Sequence, residues 1–413
     1  MFRIRVTTNI LLITAVAFSF FAASRSFAGD WPQWRGPNGN GTSTETGWKA
    51  EFPKEGPKKL WESKIGGGHS SLVVANKHVY TCATEGPKKE GQLVCLDALS
   101  GAQVWKHPFA AGAAGCTTPV VDGSTVIAIS DSGYLMAVEA GSGKELWGKD
   151  IMKELGVSGS KGKDPAKPPA EPRFGSPLIV GDTIVIGPGF GFEKSTGKLL
   201  WKSSQTECRS YVTSVPATFG GTPEAVVYTS QDLIGFNPKD GNELWSLKLP
   251  KNVNVDPTIL AESIFYDGTL IKMEAGKPVV QKAATPPPFR TGAGLANPAL
   301  WQGNLYASTG GWGKVTPGSY NLKCIDTQTF AEKWTQAGTW GPLIVVDGKI
   351  LVSTHLGELV IAKASPESYQ EISRAMIYPD AVKSCCWGTP AFAEGKFYMR
   401  CNGLVACLDL SGN

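Results

Sequence analysis

The chain is poor in the groups that carry chemistry. Of its 413 residues only four are His, and charged residues make up 18%. His69, His78, His107 and His355 are scattered rather than clustered. No Cys-x-x-Cys, His-Glu-x-x-His or haem-attachment spacing occurs, which argues against the common zinc, metalloprotease and cytochrome signatures. No Gly-x-Ser-x-Gly motif is present, and Gly66-Gly67-Gly68 precedes a strand pattern rather than a helix, so it is no phosphate loop. Charge of one sign is missing too: 40 Lys and Arg stand against 36 Asp and Glu. So balanced a chain argues against a nucleic-acid partner or a strongly anionic surface. After the first 28 residues no apolar run is long enough to cross a bilayer.

Those first 28 residues read as a secretory signal. Arg3 and Arg5 form a basic start, Ile10 to Ala23 is apolar, and Ser26-Phe27-Ala28 offers a small-x-small cleavage site before Gly29. No Cys lies near that site, which argues against a lipid anchor. The expected location is the periplasm or the exterior. Removal of the signal leaves 37 basic against 36 acidic residues.

What is abundant is Gly, at 49, and Pro, at 28, as an all-β chain with many turns requires. A motif of the form Asp/Glu-x-x-x-Gly-x-x-x-Trp recurs as LDALSGAQVW (96–105), VEAGSGKELW (138–147) and FEKSTGKLLW (192–201). FNPKDGNELW (236–245) leads with Asn, and IDTQTFAEKW (325–334) has Phe330 in place of Gly. The leading polar side chain can bond the backbone of the turn after it. The Gly allows positive φ, and the Trp brings a large apolar area to the end of the next strand. The blade-docking set is therefore Asp97, Gly101 and Trp105, then Glu139, Gly143 and Trp147, then Gly197 with Trp201 and Gly241 with Trp245. Asp326 with Trp334, and Asp409 with Trp61, complete it.

A strand–turn–strand pair precedes each copy. It begins at residues 71, 119, 177, 216, 257, 298, 342 and 390, and seven of the eight start with Pro, which a sheet tolerates at a strand start. Together the two patterns make four-stranded units of propeller-blade length. The last unit stops at LDLSGN (408–413), before its Trp strand, whereas KKLWES (58–63) is a Trp strand with no unit of its own. We therefore expect an all-β, eight-bladed propeller of four-stranded antiparallel blades over 57–413, its ring closed by the N-terminal strand. The outer strands near 269–283 and 359–373 lack the full motif. A leader loop spans 29–56, its Trp31, Trp34 and Trp48 expected to pin it to the outside. Residues 151–172 form an insertion loop that opens with a short helix. The expected state is a monomer.

The Ala/Cys-x-Asp-x-x-x-Gly-x-x-x-Trp turn, seen best at Cys95–Trp105 and Ala137–Trp147, resembles the pyrroloquinoline-quinone (PQQ) repeat. That repeat builds the quinoprotein alcohol dehydrogenase-like propellers, and the resemblance covers about 57–413. The leader WPQWRGPNGNG (31–41) is similar to the start of secreted PQQ-like proteins. The resemblance implies the fold. It leaves two functions open, because this fold serves PQQ-dependent dehydrogenases and also non-enzymatic propellers similar to the outer-membrane assembly factor BamB.

A dehydrogenase needs a Ca²⁺ with oxygen ligands, an Asp base and stacking surfaces at one mouth of the channel, where inner strands start. By repeat position that mouth offers His69, Arg173, Arg209, Tyr211, Asn254, Asp256, Asn297, Trp340, Cys385, Cys386 and Trp387. Arg173 and Arg209 can grip carboxylates; Asp256 is the one carboxylate, too few for both metal ligand and base. Adjacent cysteines in some quinoprotein alcohol dehydrogenases form a ring disulfide against the cofactor, but Cys385-Cys386 sits in the last blade. Cys95, Cys324 and Cys407 share a position held elsewhere by Ala137 and read as core. A Cys82–Cys95 cross-strand bridge is conceivable. The reading adopted is an exported, non-catalytic propeller that binds a protein, peptide or glycan, with no catalytic residue, cofactor or metal. The alternative is a PQQ- and Ca²⁺-dependent dehydrogenase of alcohols or sugars.

Overall fold

The computed structural model describes residues 29–412 apart from 111, 114, 156–173, 205–211, 230–231, 250–255, 267, 284–290, 293–296, 312–319 and 382–385. The signal-peptide expectation, and most of the 151–172 insertion, lie outside these residues. The helix expected at the start of the insertion is Ile151–Leu155. Among the described residues no helix is long and apolar enough to cross a membrane.

Each repeat forms one antiparallel sheet, and there are eight. In blade 1 the strands run outward in chain order: Val73–Ala75, His78–Glu85, Glu90–Asp97 and Gln103–Pro108. Blades 2 to 7 follow at 120–150, 178–202, 215–248, 258–283, 299–337 and 343–376. Blade 8 takes three strands from 391–409, and its outermost strand is Lys58–Lys64, antiparallel to Leu404–Asp409 with Trp61 opposite Cys407. The innermost strand of blade 1 lies against those of blades 2 and 8, so the blades run round a ring. The outer strands at 277–283 and 371–376 pair with their neighbours despite their missing motif residues, each with one register shift like that of blade 1.

Trp of one blade and Gly of the next are parts of a single joint. Trp61, Trp105, Trp147 and Trp201 each donate Nε1–H to a carbonyl in the following blade's turn: Ala98, Ala140, Lys194 and Pro238, at 2.9–3.1 Å. The turn Gly there does more than supply positive φ. A Cβ on Gly101 would sit 2.5 Å from Trp61, and one on Gly143 2.6 Å from Trp105. The two defects in the pattern explain each other on this basis. Blade 5 has Lys282 where the Trp would stand, opposite Leu270, so blade 6 faces no indole and carries Phe330 at φ 59°, stacked on Phe265. Trp245 instead donates to Glu224 of its own blade, at 2.6 Å.

Blades 1, 6 and 8 repeat a layered triplet across the sheet: Tyr80–Cys95–Trp105, Tyr306–Cys324–Trp334 and Tyr398–Cys407–Trp61. All three thiols are fully buried. Cys82 faces Leu93 rather than Cys95, and both are free thiols, so the cross-strand bridge is not formed. Burial pushes the thiols of Cys95 and Cys407 up to about 12 and that of Cys324 up to about 11. These three cysteines should therefore stay unmodified when native protein is alkylated at pH 8, and react only in denaturant; mass spectrometry of the peptides checks this.

The leader is where sequence reading fails. Trp31, Trp34 and Trp48 do not hold it to the outside. Trp31 exchanges both backbone hydrogen bonds with Val74 on the inner strand of blade 1 (2.7 and 2.9 Å), and Pro32 accepts from Val121 of blade 2. Thr42–Ser43 then pairs in parallel with Val345 and Val346 on the inner edge of blade 7. Glu45 accepts from the backbone of Glu394 and Gly395 at the first turn of blade 8. A segment that touches inner strands all round the ring lies in the central channel. Trp48 packs between Phe392 and Lys349, at the seam of blades 7 and 8. The cause is the inner strands' free edges: their N–H and C=O groups need partners, and the leader supplies them at blades 1, 2 and 7.

Candidate functional site

The starts of the inner strands form a belt. Each donates its backbone N–H to a side-chain oxygen at the start of the next blade. Thr389 donates to Ser71, Ser71 to Thr118, Thr118 to Ser176 and Ser176 to Thr213; Thr213 then donates to Asp256, and Asp256 to Asn297. These six bonds of 2.7–3.1 Å link seven consecutive blades, from blade 8 round to blade 6. Pro follows directly in five of them, and its fixed φ presents the preceding polar residue in extended form.

Two of the expected mouth residues, Asp256 and Asn297, belong to this belt. Asn297 Nδ2 returns a 2.9 Å bond to Asp256 Oδ2. The leader completes the cluster: Trp34 Nε1 donates to Asp256 Oδ2 at 2.6 Å, and Arg35 donates to the carbonyls of Asn40 and Pro298. Arg35 and Asp256 are 3% and 4% exposed, so neither charge is solvated by bulk water. Burial pulls the guanidinium down to about 10, opposed by the Asp256 charge. Burial pushes the carboxyl upward, opposed by Arg35 and by the donors Trp34, Thr213 and Asn297. Each charge thus depends on the other for compensation.

The remaining expected residues lie elsewhere on the ring. His69 packs on Trp387 across blades 1 and 8, with centroids 4.8 Å apart. Its Nδ1 is buried without a hydrogen-bond partner, and burial together with the Arg400 charge lowers its pKa, favouring neutral imidazole. Cys386, the residue before Trp387, is fully buried. Trp340 joins Tyr320 and His355 in a three-ring cluster at the start of blade 7. Arg173, Arg209, Tyr211, Asn254 and Cys385 lie outside the described residues.

Sequence reading missed Trp34 and Arg35 as channel groups, and missed Arg400. The Arg400 guanidinium is 1% exposed and donates to the carbonyls of Gly67, Ser70, Cys82 and Asn402 and to Thr81 Oγ1, at 2.7–3.1 Å. It ties blade 8 to blade 1. Nothing in its sequence position marks it, because its partners are mostly backbone carbonyls. The belt, by contrast, is legible as a polar residue before Pro at 118, 176, 256, 297 and 389.

A PQQ site would need several oxygen ligands for Ca²⁺, a base, and open space for a flat tricarboxylate. The described residues do not fit it. Both oxygens of Asp256 are taken by protein donors, a buried Arg35 lies in its field, and the leader fills the channel beside it. Among the described residues no group of three or more His, Cys, Asp or Glu converges as metal ligands would.

The family model described as "Outer membrane protein assembly factor BamB" matches residues 42–191 and 190–381. The outer membrane protein assembly factor BamB of Burkholderia pseudomallei (strain K96243) is 28% identical over 234 residues, 53% of this chain and 52% of that protein. The chain thus spans about half the length of the curated relative it matches. Among solved structures, BamB from Moraxella catarrhalis superposes with a TM-score of 0.57 at 14% identity, covering 85% of this chain and 97% of that one. The quinohemoprotein alcohol dehydrogenase from Comamonas testosteroni gives 0.65 at 12% identity, covering 93% and 81%. At such identities the likeness to both structures is one of fold.

Proposed function

Because the chain belongs to the PQQ-repeat propeller family of the outer membrane protein assembly factor BamB, we propose that it is an exported, non-catalytic binding or scaffold module. Its ligand is a protein, peptide or glycan, and its place is the periplasm or the exterior. The observation that carries this reading is the fate of Asp256. The one carboxylate that sequence position offers to a quinone site is instead tied to Trp34, Thr213 and Asn297. A carboxylate so engaged, on a residue 4% exposed, is turned into the protein rather than presented to a substrate, and general-base catalysis needs one within hydrogen-bond reach. The ring clusters at the strand starts, His69 with Trp387 and Trp340 with Tyr320 and His355, offer partly exposed aromatic surface of the kind on which a partner packs.

The test is a titration of purified protein with PQQ in the presence of Ca²⁺, followed by absorbance and by dye reduction over a panel of alcohols and sugars. We expect no saturable binding at micromolar PQQ and no dye reduction above the protein-free rate. Saturable binding with substrate-dependent dye reduction overturns the reading and restores the dehydrogenase.

A further inference from the structure

We propose that the central channel is a peptide-binding site, that the protein's own leader occupies it in cis, and that the ligand class it takes is an extended peptide bearing Trp and Arg. This rests on the binding-module reading and says which surface binds and what chemistry it recognises.

The leader is bound the way a peptide is bound to a sheet edge. Its backbone provides the contacts: Trp31 with Val74, the Pro32 carbonyl with Val121, the Gly41 carbonyl with the Val345 amide and the Ser43 carbonyl with the Asp347 amide, all at 2.7–3.1 Å. Main-chain bonds of this kind give affinity with little sequence demand, and side-chain anchors then give specificity. Three anchors are present. The Trp31 ring is 1% exposed, Arg35 is 3% exposed, and the Trp34 indole reaches Asp256 at 2.6 Å.

Between the anchors and the return strand the leader turns back on itself. Arg35, Gly36, Gly39 and Gly41 all have positive φ, and a Cβ on Gly36 would lie 2.8 Å from the Trp31 ring. A segment of this composition has no core of its own; what apolar surface it buries, it buries against the propeller. The blades are joined to one another by the Trp–Gly joints and the belt, neither of which uses a leader side chain except at Asp256. The leader reaches the body through a solvent-facing stretch in which Glu51, Pro53, Lys54 and Glu55 are exposed. A ring that holds itself together around an exchangeable, tethered segment is a receptor with its ligand attached.

A protease site inserted between Lys54 and Glu55 of the otherwise full-length protein tests this. The folded protein is cut and dialysed, and release of the fragment is followed by mass spectrometry. A fluorescent peptide of residues 29–45 is then added and read by anisotropy, with circular dichroism as the check on fold. We expect the cut protein to keep its β signal and to take up the peptide at micromolar concentration. The uncut protein should take up on the order of 100-fold less, because its tethered leader competes at millimolar effective concentration. A peptide carrying W34A and R35A should bind on the order of 100-fold more weakly than the native one, as loss of a buried cation and of a half-buried indole hydrogen-bonded to Asp256 implies.

Three results overturn the proposal. The cut protein loses its β signal, which makes the leader an integral part of the core; or it stays folded yet neither releases nor exchanges the segment over days; or cut and uncut protein take up the peptide equally. None of these bears on the PQQ titration, so failure here is distinct from failure of the binding-module reading.

Discussion

Trp61→Ala is expected to destabilise the protein by about 3–5 kcal/mol, the cost of deleting a large buried aromatic. Trp61 is 8% exposed, donates to Ala98 at 3.0 Å, occupies the space above Gly101 and tilts on Tyr398 at 6.0 Å. The same removal at Trp105 breaks one joint between covalently consecutive blades. At Trp61 it breaks the joint between the first blade and the last, on a strand that comes from the far end of the chain. We propose that this strand is the clasp of the ring. Loosening it therefore exposes blades 8 and 1 together, and hydrogen exchange at Leu404–Asp409 should accelerate along with the fall in denaturation midpoint. Gly101→Ala should cost less, about 1–3 kcal/mol, since it combines an alanine at φ 71° with a Cβ 2.5 Å from the indole. In the double variant the clash has no partner, so the two costs should fall short of their sum by at least about 0.5 kcal/mol. Wild-type stability in Trp61→Ala, or strict additivity, would sink the clasp and the joint respectively.

Asp256→Ala is expected to cost about 3–5 kcal/mol as well, for an electrostatic reason. Its carboxylate accepts from Trp34, Thr213 and Asn297 and offsets the charge of Arg35, which is 3% exposed. Truncation leaves a buried cation without compensation and three donors without an acceptor. Asp256→Asn loses the charge and one acceptor oxygen but keeps the other, so it should fall between wild type and Ala. Arg35→Met alone leaves the carboxylate uncompensated; combined with Asp256→Asn it removes both charges, and stability should recover by about 1–3 kcal/mol relative to Asp256→Asn alone. Chemical denaturation of the four proteins measures this. A double variant no more stable than Asp256→Asn means that Arg35 does not depend on Asp256. The sign with pH follows from burial, which pushes the Asp256 pKa above 3.8 in the folded state. The folded protein then holds this proton more tightly than the unfolded one. This carboxyl's own contribution is therefore most favourable below pH 3.8 and declines as pH rises towards its folded pKa. In Asp256→Asn that component of the pH dependence should vanish.

The repeat was legible because its parts are local. Asp97 binds the amides of Leu99 and Ser100 within its own turn, and Asp326 does the same with Gln328 and Thr329, which holds its carboxyl down to about 2. Such a motif leaves its spacing in the chain, and the strand–turn–strand pairs that alternate with it count to eight blades. Even the pairing of Lys58–Lys64 with Leu404–Asp409 could be read, because each end lacked what the other carried. The second duty of the turn Gly could not. Gly143 makes room for Trp105, 38 residues earlier, and the substitution of Phe330 makes sense only once blade 5 is seen to have Lys282 in place of Trp. The candidate site was legible as a set of positions and not as a place. His69 and Trp387 meet, Asp256 and Asn297 meet, and Trp340 joins different rings altogether.

By itself, then, the sequence determined the all-β class, the number of blades and the turn chemistry, since period-2 patterning and short-range side-chain-to-backbone bonds act within a few residues. Only the tertiary structure decided what fills the channel. Trp31, Trp34 and Arg35 sit in a Gly-, Pro- and Asn-rich stretch whose composition reads as exposed loop. Their burial comes from partners at Val74, Asp256 and Pro298, up to 263 residues away. Unsatisfied inner-strand edges and a buried carboxylate exist only after the ring has formed, and no local pattern in residues 29–45 could announce that they would be met there.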